Sequence, residues 1–207
     1  TLVITDVMMP VMDGLQLCRH LKRNIQTSHI PVIILSAKVD VQEQLEGLQV
    51  GADDYIPKPF SIAILTAKIR NIFHTRDLTI QHYNHTVEVE PERLANNTLD
   101  KELLKRAVEI VEKHIADAEF TTEMFAREML MSRSNLHLKI KAITGGGAND
   151  FIKHIRFAKA CELLRKGTLT VSEISYEVGF SSPSYFSTSF KKKFGCLPSE
   201  YVSSHPK

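Results

Sequence analysis

Two hydrophobic rhythms divide the chain. Up to about residue 75, short continuous apolar runs alternate with stretches whose apolar residues recur at helical spacing. The runs at 2–5 and 31–37 are largely apolar, as strands buried on both faces of a parallel sheet are, and 54–60 reads as a third short strand with its exit loop. Helices are predicted over 14–24, where Leu15, Leu17, Cys18 and Leu21 recur, over 41–50, and over 62–73 from Ile62, Leu65, Ile69, Ile72 and Phe73. Strands alternating with helices make β–α units on a parallel sheet. From 74 to 97 the rhythm fails: polar residues, three histidines and Pro91 predict a connector with a brief extended segment near 86–89. Beyond it the pattern is helical only. The first helix is expected over 99–117, with Leu103, Leu104, Ala107, Val108, Val111 and Ile115 turned inward.

The helical half says nearly the same thing twice. Shifted by 50 positions, Leu136 falls on Phe186, Ile140 on Phe190, Lys141 on Lys191, Gly145 on Gly195 and Phe151 on Tyr201. Upstream the shift is 49, with Thr121 on Thr170 and Met129 on Val178, so one extra residue sits in the second copy's turn. Two copies are too few for a solenoid and describe a duplicated small motif. Each copy pairs a short helix (122–129, 171–178) with a longer one (133–143, 184–194) across a tight turn, and a linking helix spans 148–165. Ser132 is a natural N-cap, Pro183 suits a first turn, and Gly145 and Gly195 stand where a left-handed C-terminal residue is cheapest as glycine. Two helices joined in this way form a helix-turn-helix, whose second helix is shaped for a DNA major groove. At the helical period, Leu136, Ile140 and Ile143 face inward, with Ser134, His137, Leu138 and Lys141 opposite. In the second copy Phe186 and Phe190 are inward, while Ser184, Ser187, Thr188 and Lys191 face out.

The run from Val178 through Gly-Phe-Ser-Ser-Pro-Ser-Tyr-Phe-Ser-Thr-Ser-Phe-Lys-Lys-Lys-Phe-Gly to Tyr201 resembles the C-terminal half of an AraC/XylS-type DNA-binding domain, and 131–145 resembles its N-terminal half. The resemblance covers about residues 100–203. It implies two helix-turn-helix units reading adjacent major-groove segments on one face of double-stranded DNA. Ser134, His137, Leu138, Ser184, Ser187 and Thr188 would touch base edges; Arg133, Lys139, Lys141, Lys191 and Lys192 would serve phosphates. Such domains often carry arginine where this chain has Leu138 and Thr188. Leucine can meet only a thymine methyl and threonine makes one weaker contact, so the departure bears on base preference.

Charge sharpens this picture. The net charge of +2 is uneven: residues 1–75 hold 7 Lys/Arg and 7 Asp/Glu, whereas 131–207 hold 12 against 5, a basic excess over the repeat that a phosphate-facing surface requires. Cys18, Cys161 and Cys196 show no paired spacing, which excludes a disulfide framework or zinc motif and fits a reducing cytoplasm. No stretch reaches the length of a membrane span. The start at Thr1, directly in an apolar run, is expected of a piece of a longer protein.

In open parallel sheets, function gathers at the carboxyl ends of the strands. Asp6, Ser36 and Lys58 converge there, beside Met9-Pro10 and Asp13-Gly14. These residues resemble a response-regulator receiver domain. The resemblance implies that Asp6 is the phosphoacceptor, that the Met8 carbonyl contacts Mg²⁺, that Ser36 and Lys58 bind phosphoryl oxygens, that Tyr55 is the switch aromatic, and that the Lys58-Pro59 peptide is cis. A whole receiver has five strands and an acidic pair after the first. The present chain would begin at the third, so Mg²⁺ is expected in the full-length receiver and none in this chain; Asp53 and Asp54 would lie at the wrong end of the sheet. Its first strand would then offer a bare edge, favouring a homodimer.

The fold expected is therefore a truncated α/β receiver, three parallel strands of a flavodoxin-like half, followed by an all-α domain with two helix-turn-helix motifs. The boundaries are 1–75, a linker at 76–98, and 99–207. The function expected is sequence-specific transcription regulation in a two-component phosphorelay, without an enzyme activity in this chain. A histidine kinase would be the partner, on a separate chain or joined to it as in hybrid sensors. The alternative is a phosphotransfer or partner-binding module whose helical half docks protein rather than DNA. An Ada-like alkyl-transfer protein would need a zinc-held cysteine, which none of the three cysteines resembles.

Overall fold

The computed structural model of the chain describes residues 1–37, 47 and 49–204; most of the helix expected over 41–50 lies outside the described residues. The chain forms two compact units, one of Thr1–His82 with Pro91–Leu103 and one of Tyr83–Glu90 with Leu104–Lys207.

The first unit is the α/β part. Strands β1 (Val3–Asp6), β2 (Val32–Ser36) and β3 (Asp54–Pro57) form a parallel sheet in the order β1-β2-β3, with Val3 opposite Val32 and Ile33 opposite Asp54. Helix α1 (Gly14–Arg23) packs Cys18 against Val32, Ile34, Ala52 and Tyr55. The central strand buries Val32, Ile33 and Ile34 completely, as its unbroken apolar run requires. Strand β1 pairs on one side only among the described residues, and Ile4 is left 41% exposed. Acidic groups away from the carboxyl ends of the strands are taken up in structure. Asp53 accepts from the Val32 amide at 2.9 Å and from Lys22 at 2.7 Å, and both oxygens of Asp54 meet Lys68 at 2.8 Å.

Helix α2 runs over Ile62–His85, twelve residues past the expected end. The part beyond 73 contains neither glycine nor proline, and a stripe of half-buried Arg76 and Ile80 and buried Tyr83 continues the helical spacing. Arg76 on that stripe breaks the apolar pattern without breaking the helix. Residues 86–89 form no strand, and a short helix α3 (Pro91–Leu94) follows. Helix α4 (Thr98–Lys113) opens on Asn97, whose side chain accepts from the Asp100 amide at 2.8 Å. It stops four residues short of expectation, after which Phe120 stacks on His114 with ring centroids 4.4 Å apart.

In the second unit the repeat is realised element by element. Helices α5 (Thr122–Glu128) and α6 (Arg133–Thr144) form one helix-turn-helix; α8 (Val171–Glu177) and α9 (Pro183–Phe194) form the other, with α7 (Ala148–Lys166) linking them. The caps correspond: Thr121, Ser132, Thr170 and Ser182 each accept a first-turn amide with their hydroxyls, and Gly145 and Gly195 end α6 and α9 at φ 80° and 76°. Phe157 of α7 anchors the second copy's core with Phe180, Phe186 and Phe190, each burial being worth roughly 1.5–3 kcal/mol. A single-turn 3₁₀ helix (Pro198–Glu200) and helix α10 (Tyr201–Ser204) close the described chain, Tyr201 packing edge-on to Phe190. Among the described residues no helix is long and apolar enough to cross a membrane.

Candidate functional site

The parallel register places Asp6 and Ser36, the last residues of β1 and β2, at one end of the sheet, and Lys58 one residue past β3. Three backbone bonds hold this end together: Val7 N–H to Leu35 O at 2.9 Å, Lys58 N–H to Ser36 O at 2.6 Å, and Gly14 N–H to Val7 O at 2.9 Å. The last folds the loop after β1 so tightly that a Cβ on Gly14 would lie 2.2 Å from the Asp6 carbonyl oxygen. Asp6 Oδ2 ion-pairs with Lys58 Nζ, and Oδ1 accepts from the Met8 amide at 3.3 Å. The Lys58 hydrogen bond, seconded by the Met8 amide, holds the Asp6 carboxyl below the usual carboxylate range. The Lys58-Pro59 peptide is cis.

Ser36, at the same end of the sheet, is buried. Tyr55 is not brought to it: the ring lies in the cluster of Cys18, Val32, Ile34 and Ala52, against Gly47. Its buried hydroxyl has no hydrogen-bond partner among the described residues.

The residues present do not fit Mg²⁺ by themselves. The ion takes near-octahedral oxygen coordination, of which one carboxylate and one carbonyl supply only a minority. Asp13 caps α1 by accepting from the Gln16 amide at 2.7 Å, and Asp53 and Asp54 are ion-paired elsewhere. Asp6 and the Met8 carbonyl are what remains of the expected ligands, and no group of three His, Cys, Asp or Glu that could hold a metal occurs among the described residues.

On the helical unit, Arg133, Ser134, His137, Leu138 and Lys141 are exposed on α6, with Leu138 63% exposed. Ser184, Thr188, Lys191 and Lys192 are exposed on α9, and Ser187 is half-buried between Phe186 and Phe190. The Thr188 hydroxyl donates to the Ser184 carbonyl at 2.9 Å. His137 lies over the start of α7, where a Cβ on Gly147 would come within 2.5 Å of its ring. Lys139 departs from expectation. It is only 2% exposed, because three residues after Leu136 it falls on the buried stripe with Ile140 and Ile143, so it cannot serve a phosphate as placed.

Two residues the sequence did not single out join this surface. Lys153 of α7 donates to the Tyr185 hydroxyl of α9 at 2.8 Å and stands 5.3 Å from the ring centroid. Nothing in the repeat announces a bond between positions 32 apart. Arg156, by contrast, is spent internally: buried, it donates to the Gly179 carbonyl at 2.8 Å and the Asp117 carbonyl at 2.5 Å.

An α/β unit with an ion-paired aspartate and lysine at its strand ends, and a helical unit with two outward-facing second helices, define a receiver joined to a tandem helix-turn-helix domain. Residues 1–70 match the response regulator receiver domain family, and residues 125–204 match a helix-turn-helix domain family. The chain thus belongs to the response-regulator receivers in its first part and to the AraC-type DNA-binding domains in its second. It is 41% identical, over 97% of its length, to histidine kinase P4 of Formosa agariphila, and spans 15% of that protein. It is 30% identical to the transcriptional regulatory protein YclJ of Bacillus subtilis, over 64% of this chain and 60% of that one. Among solved structures, the C-terminal domain of AraT, a response regulator from Geobacillus stearothermophilus, is 33% identical over 50% of this chain and 85% of that one, with a TM-score of 0.46.

Proposed function

We propose that this chain is the output end of a two-component transcription regulator, in which α6 and α9 read specific duplex DNA and phosphorylation of Asp6 in the full-length protein sets the affinity. The observation that carries the reading is the matched placement of Leu138 and Thr188. Both are exposed on twelve-residue second helices that carry corresponding serine N-caps and glycine C-caps. Ser134, His137, Leu138, Ser184, Ser187 and Thr188 are assigned to base edges, and Arg133, Lys141, Lys191 and Lys192 to phosphates. Residues 1–75 serve as receiver and 99–207 as DNA-binding domain, with 76–98 between them.

Asp6 is the nucleophile in this scheme. Its carboxylate oxygen attacks the donor's phosphorus and forms an acyl phosphate as the donor's leaving group departs. Lys58, already paired with Asp6, is placed to follow the phosphoryl oxygens. The phosphodonor is a histidine kinase domain, in the same chain or another; the kinship with a protein named a histidine kinase supports a single chain. Dimerisation that tethers two DNA-binding units would then raise effective affinity without new contacts.

A gel-shift titration with KCl tests the DNA reading. Several phosphate contacts predict that log K falls with log[salt] at a slope of roughly −0.9 per contact, and binding indifferent to salt contradicts it. In the full-length protein, Asp6→Asn is expected to abolish the kinase-dependent change in affinity.

A further inference from the structure

Between the two helix-turn-helix motifs runs an open groove of about 1050 Å³, floored by α7 and walled by α6 on one side and by the α8–α9 turn and first turn of α9 on the other. Its chemistry is one-sided. Arg133, Lys153 and Arg156 line it, together with hydroxyls such as Ser134 and Ser181, and among the described residues none that lines it is an aspartate or glutamate. Arg156 is already spent on two carbonyls, which leaves Arg133 at the rim and Lys153 on the floor.

Lys153 is held, not loose. The Tyr185 hydroxyl accepts one of its three ammonium protons at 2.8 Å, which leaves the nitrogen 5.3 Å from the ring centroid. Among the described residues Lys153 makes no ion pair, so two N–H donors remain for another acceptor. Tyr185 responds to the same contact: the Lys153 ammonium, and after it Ser189, draw its phenol below the usual tyrosine range. A fixed cation in a carboxylate-free groove between two helices that present toward DNA matches a polyanion passing from one helix to the other.

We propose that Lys153, positioned by Tyr185, is a phosphate contact that seats the sugar–phosphate backbone of the duplex stretch lying between the two major-groove segments. The proposal rests on the DNA-binding reading and deepens it. The two motifs are then joined through DNA at a point where neither second helix reaches, and Tyr185 acts as a positioning residue for the cation.

The experiment measures the affinity of the chain, by fluorescence anisotropy over a range of KCl, for a duplex selected by the wild-type chain from a random pool. Lys153→Gln is expected to reduce the magnitude of the salt slope by about 0.9, to weaken binding several-fold, and to leave base preference unchanged. Lys153→Arg is expected to keep the slope. Tyr185→Phe, which keeps the ring and removes the acceptor, is expected to weaken binding less than Lys153→Gln does. Uncharged methylphosphonates placed between the two protected segments should weaken the wild-type chain and add little to the loss in Lys153→Gln. Circular dichroism melting of each variant tells a folding defect apart from removal of a phosphate-binding group. An unchanged slope in a folded Lys153→Gln, or methylphosphonate and Lys153→Gln losses that simply multiply, overturns the proposal while leaving the DNA reading in place. Failure of the wild-type chain to select any duplex overturns the DNA reading itself.

Discussion

Leu138 and Lys139 are neighbours in sequence and opposites in the fold. The apolar one stands 63% exposed on the outward face of α6, and the charged one is buried beside Leu136 and Ile140. Hydropathy alone assigns both wrongly; the helical period places Leu138 outside and, applied strictly, would have placed Lys139 inside. An exposed leucine on a helix proposed to face DNA can meet a thymine methyl but offers no hydrogen bond. Leu138→Arg is therefore expected to change preference at one base position by about 1–3 kcal/mol, read by competition among single-base variants of a selected duplex; a uniform change across all variants would mean that the side chain meets only the backbone. His154 of α7 sets a different test. Buried, it accepts from Lys193 through Nδ1 at 2.9 Å and stacks on Tyr83 at 4.2 Å, with the Val87 backbone nearby. Burial first, then the Lys193 charge, push its pKa down to about 3. The folded state thus holds His154 neutral, while the unfolded chain takes up a proton below about pH 6.5. Stability from this group is present above about pH 6.5 and is lost as pH falls toward about 3, with a slope of at most about 1.4 kcal/mol per pH unit. Urea melts from about pH 7 to about pH 4, which cover most of that window, should show a smaller acid loss in His154→Phe than in the wild type; equal losses would mean that His154 does not drive it.

At the scale of elements, the two motifs are the same device with one asymmetric turn. The shift of 49 places Leu130 of the first turn on Gly179 of the second, and both adopt the left-handed conformation, at φ 57° and 73°. Gly179 has no alternative: a Cβ there would lie 2.5 Å from the Ile115 carbonyl oxygen and 2.8 Å from the Arg156 guanidinium. Leu130 is mostly exposed and carries strain of about 1 kcal/mol without a packing return. Gly179→Ala should destabilise by at least about 1–3 kcal/mol, whereas Leu130→Gly should be neutral or stabilising by a few tenths of a kcal/mol, because relief of strain is offset by chain entropy. Thermal melts of the two variants decide it, and equal losses would contradict the distinction. Much of this layer was legible in the sequence, because caps, glycines and the doubled pattern act locally and each signal falls within a few residues. What escaped was set by longer-range contacts or by a single misleading residue. The polar, histidine-rich stretch beyond Phe73, with Arg76 on the stripe of α2, hid twelve residues of helix; the Lys153–Tyr185 bond joins residues 32 positions apart; and Tyr55 lies in an apolar cluster whose position strand order alone does not fix.

For the molecule as a whole, the receiver unit and the helical unit each carry one half of the proposed function. The first supplies an aspartate with its charge already balanced by Lys58, so that adding a phosphoryl group changes the local charge where the strands end. The second supplies two outward helices on a basic body. Two-segment reading is the central claim, since phosphorylation has nothing to control without it. Hydroxyl-radical footprinting of the chain on a duplex it has selected is the direct test. The account predicts two protected segments on one face of the duplex, centred about one helical turn, roughly 10 base pairs, apart. Protection of a single segment, of segments on opposite faces, or of none would contradict it.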